Sequence, residues 1–413
     1  MLLSCLYDLL PSVLKSSKTE YEPPCTSSLP SPRIPHLPLE VVIHILEETY
    51  HSEPNPTQLL LNCSLVCRDW SFLAQPLLFR NVTLASQTAY DSFLGAANRT
   101  TPRGSMLSDA VIRMKVVLDA NQPFGLSQAC FTTAVNACPN LCELEVAIYG
   151  HSDQTRQQLA PPFFDDTTLD ALRTGPRIKS LHFNNSADDE AAIFPLLDVW
   201  PCLKSLAISG TPPKLPSTTL HASFPTAIEE LRINCQSAVS IDFMKWLLHN
   251  SVHSLHTLEL EREQPMIVVD YVVETHGAKL RSLAIPACTT HDMATAVKKC
   301  VGLDELRIEH PWVTPVLFKP LPEKLTRLAI ALDQDSAVQP WLDFVRKSET
   351  LKELTVQVWG SNEQHMQLPA LAMACAFRGV VLEMTQDIKI FRSVVRRDPT
   401  TPSPFTRKAP IEE

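Results

Sequence analysis

The chain has 413 residues, a hydrophobic fraction of 45% and a formal net charge of −9. Single hydrophobic cores stop growing at about 250 to 300 residues. We therefore expect either more than one domain or an elongated fold. The acidic balance argues against general nucleic-acid binding, which needs a basic surface. No apolar run approaches the roughly 18 residues of a membrane span, so no membrane partner is expected.

The N-terminal segment and the cysteines bear on where in the cell the chain is expected. No positive charge precedes the apolar part of residues 1–14, and Asp8 and Pro11 interrupt it, so a secretory leader is not expected. The 12 cysteines form no CxxC pair, a usage typical of free thiols in a reducing compartment. We therefore expect the chain in the cytoplasm, the nucleus or both.

Residues 1–36 combine a short apolar helix with a linker. Five prolines between Pro23 and Pro35 forbid a helix there and favour an extended, solvated chain. This segment is therefore predicted to precede the first folded module.

Residues 37–84 predict a helical module. Pro38 suits the first turn of a helix, and apolar residues then recur at helical spacing as far as Leu46. Two prolines within residues 54–56 end this helix. A second helix, apolar nearly all round, is predicted over residues 59–73. Such a helix is buried on more than one side, so the module needs a partner.

Three short motifs stand out in this module: Leu-Pro at 37–38, Ile-Leu at 45–46 and the block SLVCRDW at 64–70. Together they resemble an F-box, the three-helix unit that docks a substrate receptor onto a Skp-type adaptor of a cullin RING ubiquitin ligase. The resemblance implies an adaptor-facing and core surface made of Leu37, Pro38, Ile45, Leu46, Val66, Cys67 and Trp70. The alternative is a helical hairpin that only caps the next domain.

Residues 85–390 contain a repeat. The pattern apolar-x-x-apolar-x-apolar recurs nine times, at intervals of about 25 residues, which is the signature of a solenoid. The last two apolar positions alternate as in a strand. Further strands are predicted at residues 78–84, 111–116 and 381–384. The nine clear matches begin at Leu141, Ile178, Leu203, Ile228, Leu255, Leu280, Leu303, Leu325 and Leu351.

A helix is predicted before each strand, for example over residues 241–249, 291–300 and 341–347. One helix-turn-strand unit cannot bury both its faces, so neighbouring units must stack. The pattern resembles degenerate leucine-rich repeats of the kind that follow an F-box in fungal F-box proteins. The resemblance implies an α/β fold in which an irregular arc of short parallel strands carries helices on its convex side.

The residues between the two inward-facing apolar positions are expected to line a protein-binding face. They include His182, Arg232, Glu259 and Arg307, and arginine is a frequent anchor at interfaces. The alternative is that these are ordinary solvent-facing strand residues. Two tryptophans just beyond strands, at positions 312 and 359, are expected in the core.

Catalytic and metal-binding signals are weak. No GxGxxG, GxxxxGK[ST] or GxSxG motif occurs. His249, His253 and His256 have the spacing of a zinc site on a helix, but the strand predicted from His256 onward would keep them apart. We therefore expect no cofactor, no metal and no enzymatic activity of the chain itself.

The sequence favours a substrate-recognition subunit of an SCF-type E3 ubiquitin ligase. Its expected partners are a Skp-type adaptor, through it a cullin, and an unidentified target protein. The alternative is a leucine-rich-repeat scaffold outside any ligase, which predicts Val66 and Trp70 buried against the first repeats, with no exposed apolar patch. Residues 391–413 lack apolar periodicity and are expected to be a disordered tail.

Overall fold

The structure is a computed structural model, and it describes residues 37–52, 56–122, 125–150, 164–187, 189–216, 223–318, 321–359 and 366–395. The helix and linker predicted for residues 1–36 lie outside these ranges. The chain forms two compact units, Met1–Val146 with Asp166–Pro176, and Ala147–Asp165 with Arg177–Glu413. The sequence places a domain boundary at 84/85, whereas this division falls within a strand of the repeat region.

The first unit opens with three helices, α1 (Leu39–Ser52), α2 (Pro56–Ser64) and α3 (Arg68–Phe79). The carbonyl of Pro38 accepts hydrogen bonds from the backbone N–H groups of Val41 and Val42, at 3.0 and 3.2 Å, so α1 begins where the Leu-Pro pair predicted. The three helices pack on one another, and α3 also packs on the first repeat elements.

The single helix predicted over residues 59–73 was wrong, because the chain breaks between α2 and α3. The backbone N–H groups of Leu65 and Val66 bond to carbonyls only three residues back, which tightens the end of α2. Cys67 then has an extended backbone, with φ −160° and ψ 173°, and starts α3. The break turns Leu65 and Val66 outward.

The remainder of the first unit consists of short helices that precede or follow three strands. Strands β1, β2 and β3 lie in chain order within the sheet, and β1 pairs with β2 in parallel. The elements are β1 (Asn81–Leu84), α4 (Gln87–Ala96), α5 (Pro102–Ala110), β2 (Arg113–Asp119), α6 (Gln128–Ala137), β3 (Glu143–Gly150) and α7 (Asp166–Arg173).

From Arg177 onward, the described residues of the second unit form nine strands, also in chain order, with parallel pairing between neighbours. The strands are β4 (Ser180–Ala187), β5 (Ser205–Gly210), β6 (Glu230–Cys235), β7 (Thr257–Leu260), β8 (Ser282–Ile285), β9 (Glu305–Ile308), β10 (Arg327–Leu332), β11 (Glu353–Val358) and β12 (Val381–Thr385). The helices are α8 (Ile193–Val199), α9 (Ile241–Leu248), α10 (Met266–His276), α11 (His291–Lys299), α12 (Gln339–Lys347), α13 (Leu368–Arg378) and α14 (Ile388–Val395).

The apolar triplets explain this arrangement. Leucine pairs with leucine in register from strand to strand, as Leu181 does with Leu206 and Leu206 with Leu231. These leucines are fully buried, so each repeat covers the apolar face of the next. The predicted α/β fold class, a helical module followed by leucine-rich-repeat-like units of helix and parallel strand, is confirmed.

Short polar side chains begin several repeat helices. The side-chain oxygens of Ser127, Ser240 and Thr290 each accept a bond from the backbone N–H three residues on. Such N-caps satisfy donors that a helix leaves without an intrahelical partner. They fix the turn that leads from one strand into the next helix.

The predicted disordered tail began at residue 391, but this boundary was wrong because α14 extends to Val395. Asp387 starts the helix: its side-chain oxygen accepts from the N–H of Lys389 at 2.7 Å, and its carbonyl accepts from the N–H of Phe391 at 2.9 Å. Phe391 is fully buried, so packing as well as capping holds α14. The rest of the predicted tail lies outside the described residues.

Candidate functional site

The three N-terminal helices share a small core of Val42, Leu46, Leu60, Cys63 and Ala74. Trp70 and Tyr50 are partly buried and pack against it. Because the helices are short, this core uses only one side of each. The remaining apolar side chains therefore have no place inside the module.

A second group of apolar side chains is exposed on these helices and on the residues beside them. We call it the exposed apolar set, with Leu37 50%, Leu39 46%, Val41 41%, Ile43 36%, Ile45 48%, Leu59 43%, Leu65 72%, Val66 62% and Phe72 63% exposed. Scattered apolar residues are normal on a protein surface, but so many within about fifty residues are typical of an interaction site.

The structure divides the seven residues that the F-box resemblance selected. Leu37, Pro38, Ile45, Val66 and Cys67 are exposed, as an adaptor contact requires. Leu46 is 1% exposed and Trp70 is half-buried, so these two hold the module together. For Leu46 an adaptor contact is excluded in this conformation, because the module's own core surrounds it.

The exposed apolar set also includes Leu59, Leu65 and Phe72, which were not predicted as site residues. A signal was present, since the apolar residues of this stretch spread around the whole helical wheel. Their exposure could not be read from that pattern, because it depends on the break between α2 and α3.

A second candidate surface is the face of the second unit formed by the middle residue of each strand. His182 on β4 is exposed, and Arg232 on β6 is partly exposed. Glu259 on β7 and Arg307 on β9 are 4% and 0% exposed. This row, which we call the strand face, is thus open at one part and closed at another.

The closed part holds a network of ion pairs. Arg307 contacts the carboxylates of both Glu259 and Glu309. Strand β8 lies between β7 and β9, and its Ala284 is in register with Glu259 on one side and Arg307 on the other. The small side chain of Ala284 leaves room for the guanidinium of Arg307 to reach Glu259. Arg232 lies 3.3 Å from the other carboxylate oxygen of Glu259. Burial of a charge requires such pairing.

Helix α14 completes the network from the far end of the chain. The guanidinium of Arg392 donates to Glu309 at 2.6 and 3.0 Å and to Glu261 at 3.0 Å. In return the backbone carbonyl of Arg392 accepts from Arg307 at 3.2 Å. Burial lowers the pKa of Arg392, but the hydrogen bond and charge of Glu309 raise it above its ordinary value overall, so this arginine stays charged.

The four residues predicted to bind a target therefore differ in accessibility. His182 and Arg232 lie within reach of solvent. Glu259 and Arg307 do not, because the chain's own ion pairs and α14 occupy them. In this conformation neither buried side chain can touch a partner. The residue missed by sequence reasoning is Arg392.

The expectation that Trp312 and Trp359 are core residues was wrong. Their side chains are 59% and 45% exposed. The indole N–H of Trp312 donates to the Asp333 carboxylate at 3.2 Å, and both rings lie near His310, with centroids 6.4 and 6.5 Å away. The strand ends bring these residues together, and such neighbours could not be read from the sequence.

Chemical reactivity is low among the buried cysteines. Burial raises the pKa of Cys138, Cys235, Cys288 and Cys300 to about 12, so these thiols stay protonated. Across the described ranges no cluster of three or more His, Cys, Asp or Glu side chains has the geometry of a metal site. Within the same ranges, every helix is too short or too polar to cross a bilayer.

Comparison with protein families and with curated proteins gives two findings. A family model described as F-box-like matches residues 34–85, so this part of the chain is an F-box-like domain. No curated protein matches the chain significantly.

Among solved structures, the chain is similar to one described as "Crystal structure of TLR13-ssRNA13 complex", with 12% sequence identity and a TM-score of 0.36. The similarity covers 75% of this chain and 40% of that one, so the chain spans less than half of that protein's length. At this TM-score the likeness carries no argument about fold or function.

Proposed function

We propose that the chain is the substrate-recognition subunit of an SCF-type ubiquitin ligase. The F-box-like domain binds a Skp-type adaptor and through it a cullin, and the repeats bind the target protein. Partner enzymes carry out ubiquitin transfer, and this chain contributes recognition only, in the cytoplasm or nucleus. We also propose that the chain is an F-box protein of the fungal type.

The observation that supports adaptor binding best is the exposed apolar set within residues matched by the F-box-like family model. Burying one large apolar side chain stabilises a complex by about 1.5 to 3 kcal/mol. Several of them together offset the loss of translational and rotational freedom on association. The exposed side chains are therefore sufficient for a stable heterodimer.

The scaffold alternative makes a different prediction about the same residues. It requires Val66 and Trp70 to be covered by the first repeats, with no exposed apolar patch. In the structure Val66 is 62% exposed, although α3 does pack on α5 and β1. The module is thus joined to the repeats on one side and keeps apolar side chains free on another, which favours the ligase proposal.

The direct test measures binding of the purified full chain to a Skp-type adaptor. Val66→Asp should weaken binding by about 30-fold or more, because a carboxylate would be buried without a partner. The double change Leu37→Ala, Pro38→Ala should also reduce binding. A wild-type chain that does not bind the adaptor would overturn the proposal.

Val301→Asp is a matched control, since Val301 is a valine with 65% exposure outside the F-box-like domain. This variant should bind the adaptor like wild type, and both aspartate variants should keep the circular dichroism of the folded chain. Equal losses in the two variants would show that the effect is not specific to the exposed apolar set.

A further inference from the structure

The carboxylates of the closed part contact arginines of the strands and of α14. Glu259 on β7 pairs with Arg232 and Arg307, and Arg307 also pairs with Glu309, directly after β9. Arg392 of α14 adds a guanidinium that contacts Glu309 and Glu261, the residue directly after β7. The strand face thus accepts a guanidinium from outside the strands.

Helix α14 contributes a buried aromatic side chain as well as a charge. Phe391 is fully buried, next in sequence to the arginine that enters the network. Lys389 on the same helix is exposed. An aromatic residue followed directly by arginine on a short helix is therefore the chemical pattern that this surface takes.

Two buried polar atoms lie on strands beside α14. Within the described part of the chain, the buried Nε of Arg307 and the buried side-chain oxygen of Gln357 on β11 have no hydrogen-bond partner. Buried polar atoms without partners oppose the contact that buries them. A segment that satisfied these atoms while keeping the arginine would bind the same surface more favourably than α14 does.

We propose that the strand face around Glu261 and Glu309 is a docking surface for a protein segment that presents an aromatic residue beside an arginine, and that α14 is its internal occupant. The partner displaces α14 and replaces Arg392 with its own arginine. That the partner is a target for ubiquitin transfer rests on the proposed function; the docking surface itself does not.

The test uses the full chain with Phe391→Ala and Arg392→Glu, which removes the apolar anchor and sets a carboxylate against Glu261 and Glu309. The probe is a fluorescent peptide of residues 386–395 with the wild-type sequence. We expect the double variant to bind it at least 10-fold more tightly than the wild-type chain, whose own α14 competes. A peptide with glutamate in place of the arginine should bind at least 10-fold more weakly.

Two single variants complete this experiment, the first as a control and the second as an independent test of the Arg392 contact. Lys389→Glu changes the charge of the same helix at an exposed position and should behave like wild type. Arg392→Gln removes the charge with little change in size, and should raise hydrogen exchange in α14 while the strands stay protected.

The proposal is overturned if the folded double variant does not bind the peptide, or if α14 exchanges slowly in Arg392→Gln. It is also overturned if the double variant and Arg392→Gln both unfold, because α14 would then be an inseparable part of the core. Adaptor binding is measured on the same samples. Its retention in any of these cases would leave the proposed function standing.

Discussion

The F-box-like domain and the strand face differ in the type of side chain that they bury. The domain buries only a small uncharged core and leaves large apolar side chains such as Phe72 in solvent. The strand face instead buries charged side chains, among them Arg307, and closes over them with α14. One surface is exposed to solvent, whereas the other is covered by a helix of the same chain.

Exposure and chemical type together determine how each surface responds to a partner. An exposed apolar group gains from association without any rearrangement of the chain. A buried ion pair gains nothing until its present partner leaves, and breaking it leaves a charge uncompensated. The two regions should therefore respond differently to the same kind of substitution.

The largest effect is expected at Arg307. Replacing it with alanine leaves the buried carboxylates of Glu259 and Glu309 without this partner, which should lower the free energy of unfolding by about 3 to 5 kcal/mol. Thermal or urea unfolding of the full chain measures the change.

The matched control is Lys115→Ala, at the same middle position of strand β2. Lys115 pairs with Glu145, but its side chain is 45% exposed. Exposed pairs contribute little, so the loss should stay below about 1 kcal/mol. Similar losses in the two variants would contradict the contrast between a closed and an open part of the sheet.

The next effect separates two neighbouring residues of α1. Leu46→Ala opens a cavity in the core of the F-box-like domain and should cost about 2 to 5 kcal/mol of stability. Ile45→Ala should leave stability within about 0.5 kcal/mol, because the side chain is exposed, yet it should weaken adaptor binding. Unfolding curves and adaptor affinity, measured on both variants, distinguish the two roles. Equal destabilisation at both positions would show that Ile45 also belongs to the core.

A smaller effect concerns acid. Burial lowers the pKa of His276 below its ordinary value of 6.5, so the folded chain binds this proton less readily than the unfolded chain. Stability from this group is complete above pH 6.5 and is lost as the pH falls toward the folded pKa. His276→Leu should therefore reduce the drop in melting temperature between pH 7.5 and 5.5. An identical drop in wild type and variant would show that His276 does not contribute to the acid sensitivity.

Much of the fold could be predicted because each repeat carries its own signal. Leu306 and Ile308, for example, alternate within β9 and pair in register with the equivalent residues of β8. The break before α3 could not be predicted, since residues 59–73 are apolar enough to continue one helix. Only the packing of the three helices decides where the chain turns.

The site could be predicted only in part. The F-box resemblance placed Val66 on an adaptor-facing and core surface, and the structure shows that its side chain is exposed. Burial of Arg307 could not be predicted, because the helix that covers it is distant in sequence: the contacts of Arg392 with Glu309 and Glu261 span 83 and 131 residues. Local patterns do not record contacts at such separations.

The most direct test of the contrast between the two surfaces is hydrogen exchange of the full chain, alone and with a saturating Skp-type adaptor. We expect the adaptor to slow exchange within residues 37–52 and 65–79, while β9 and α14 are already protected in the free chain and do not change. Adaptor-induced protection that is absent from the F-box-like domain, or an α14 that exchanges freely without any partner, would contradict the account.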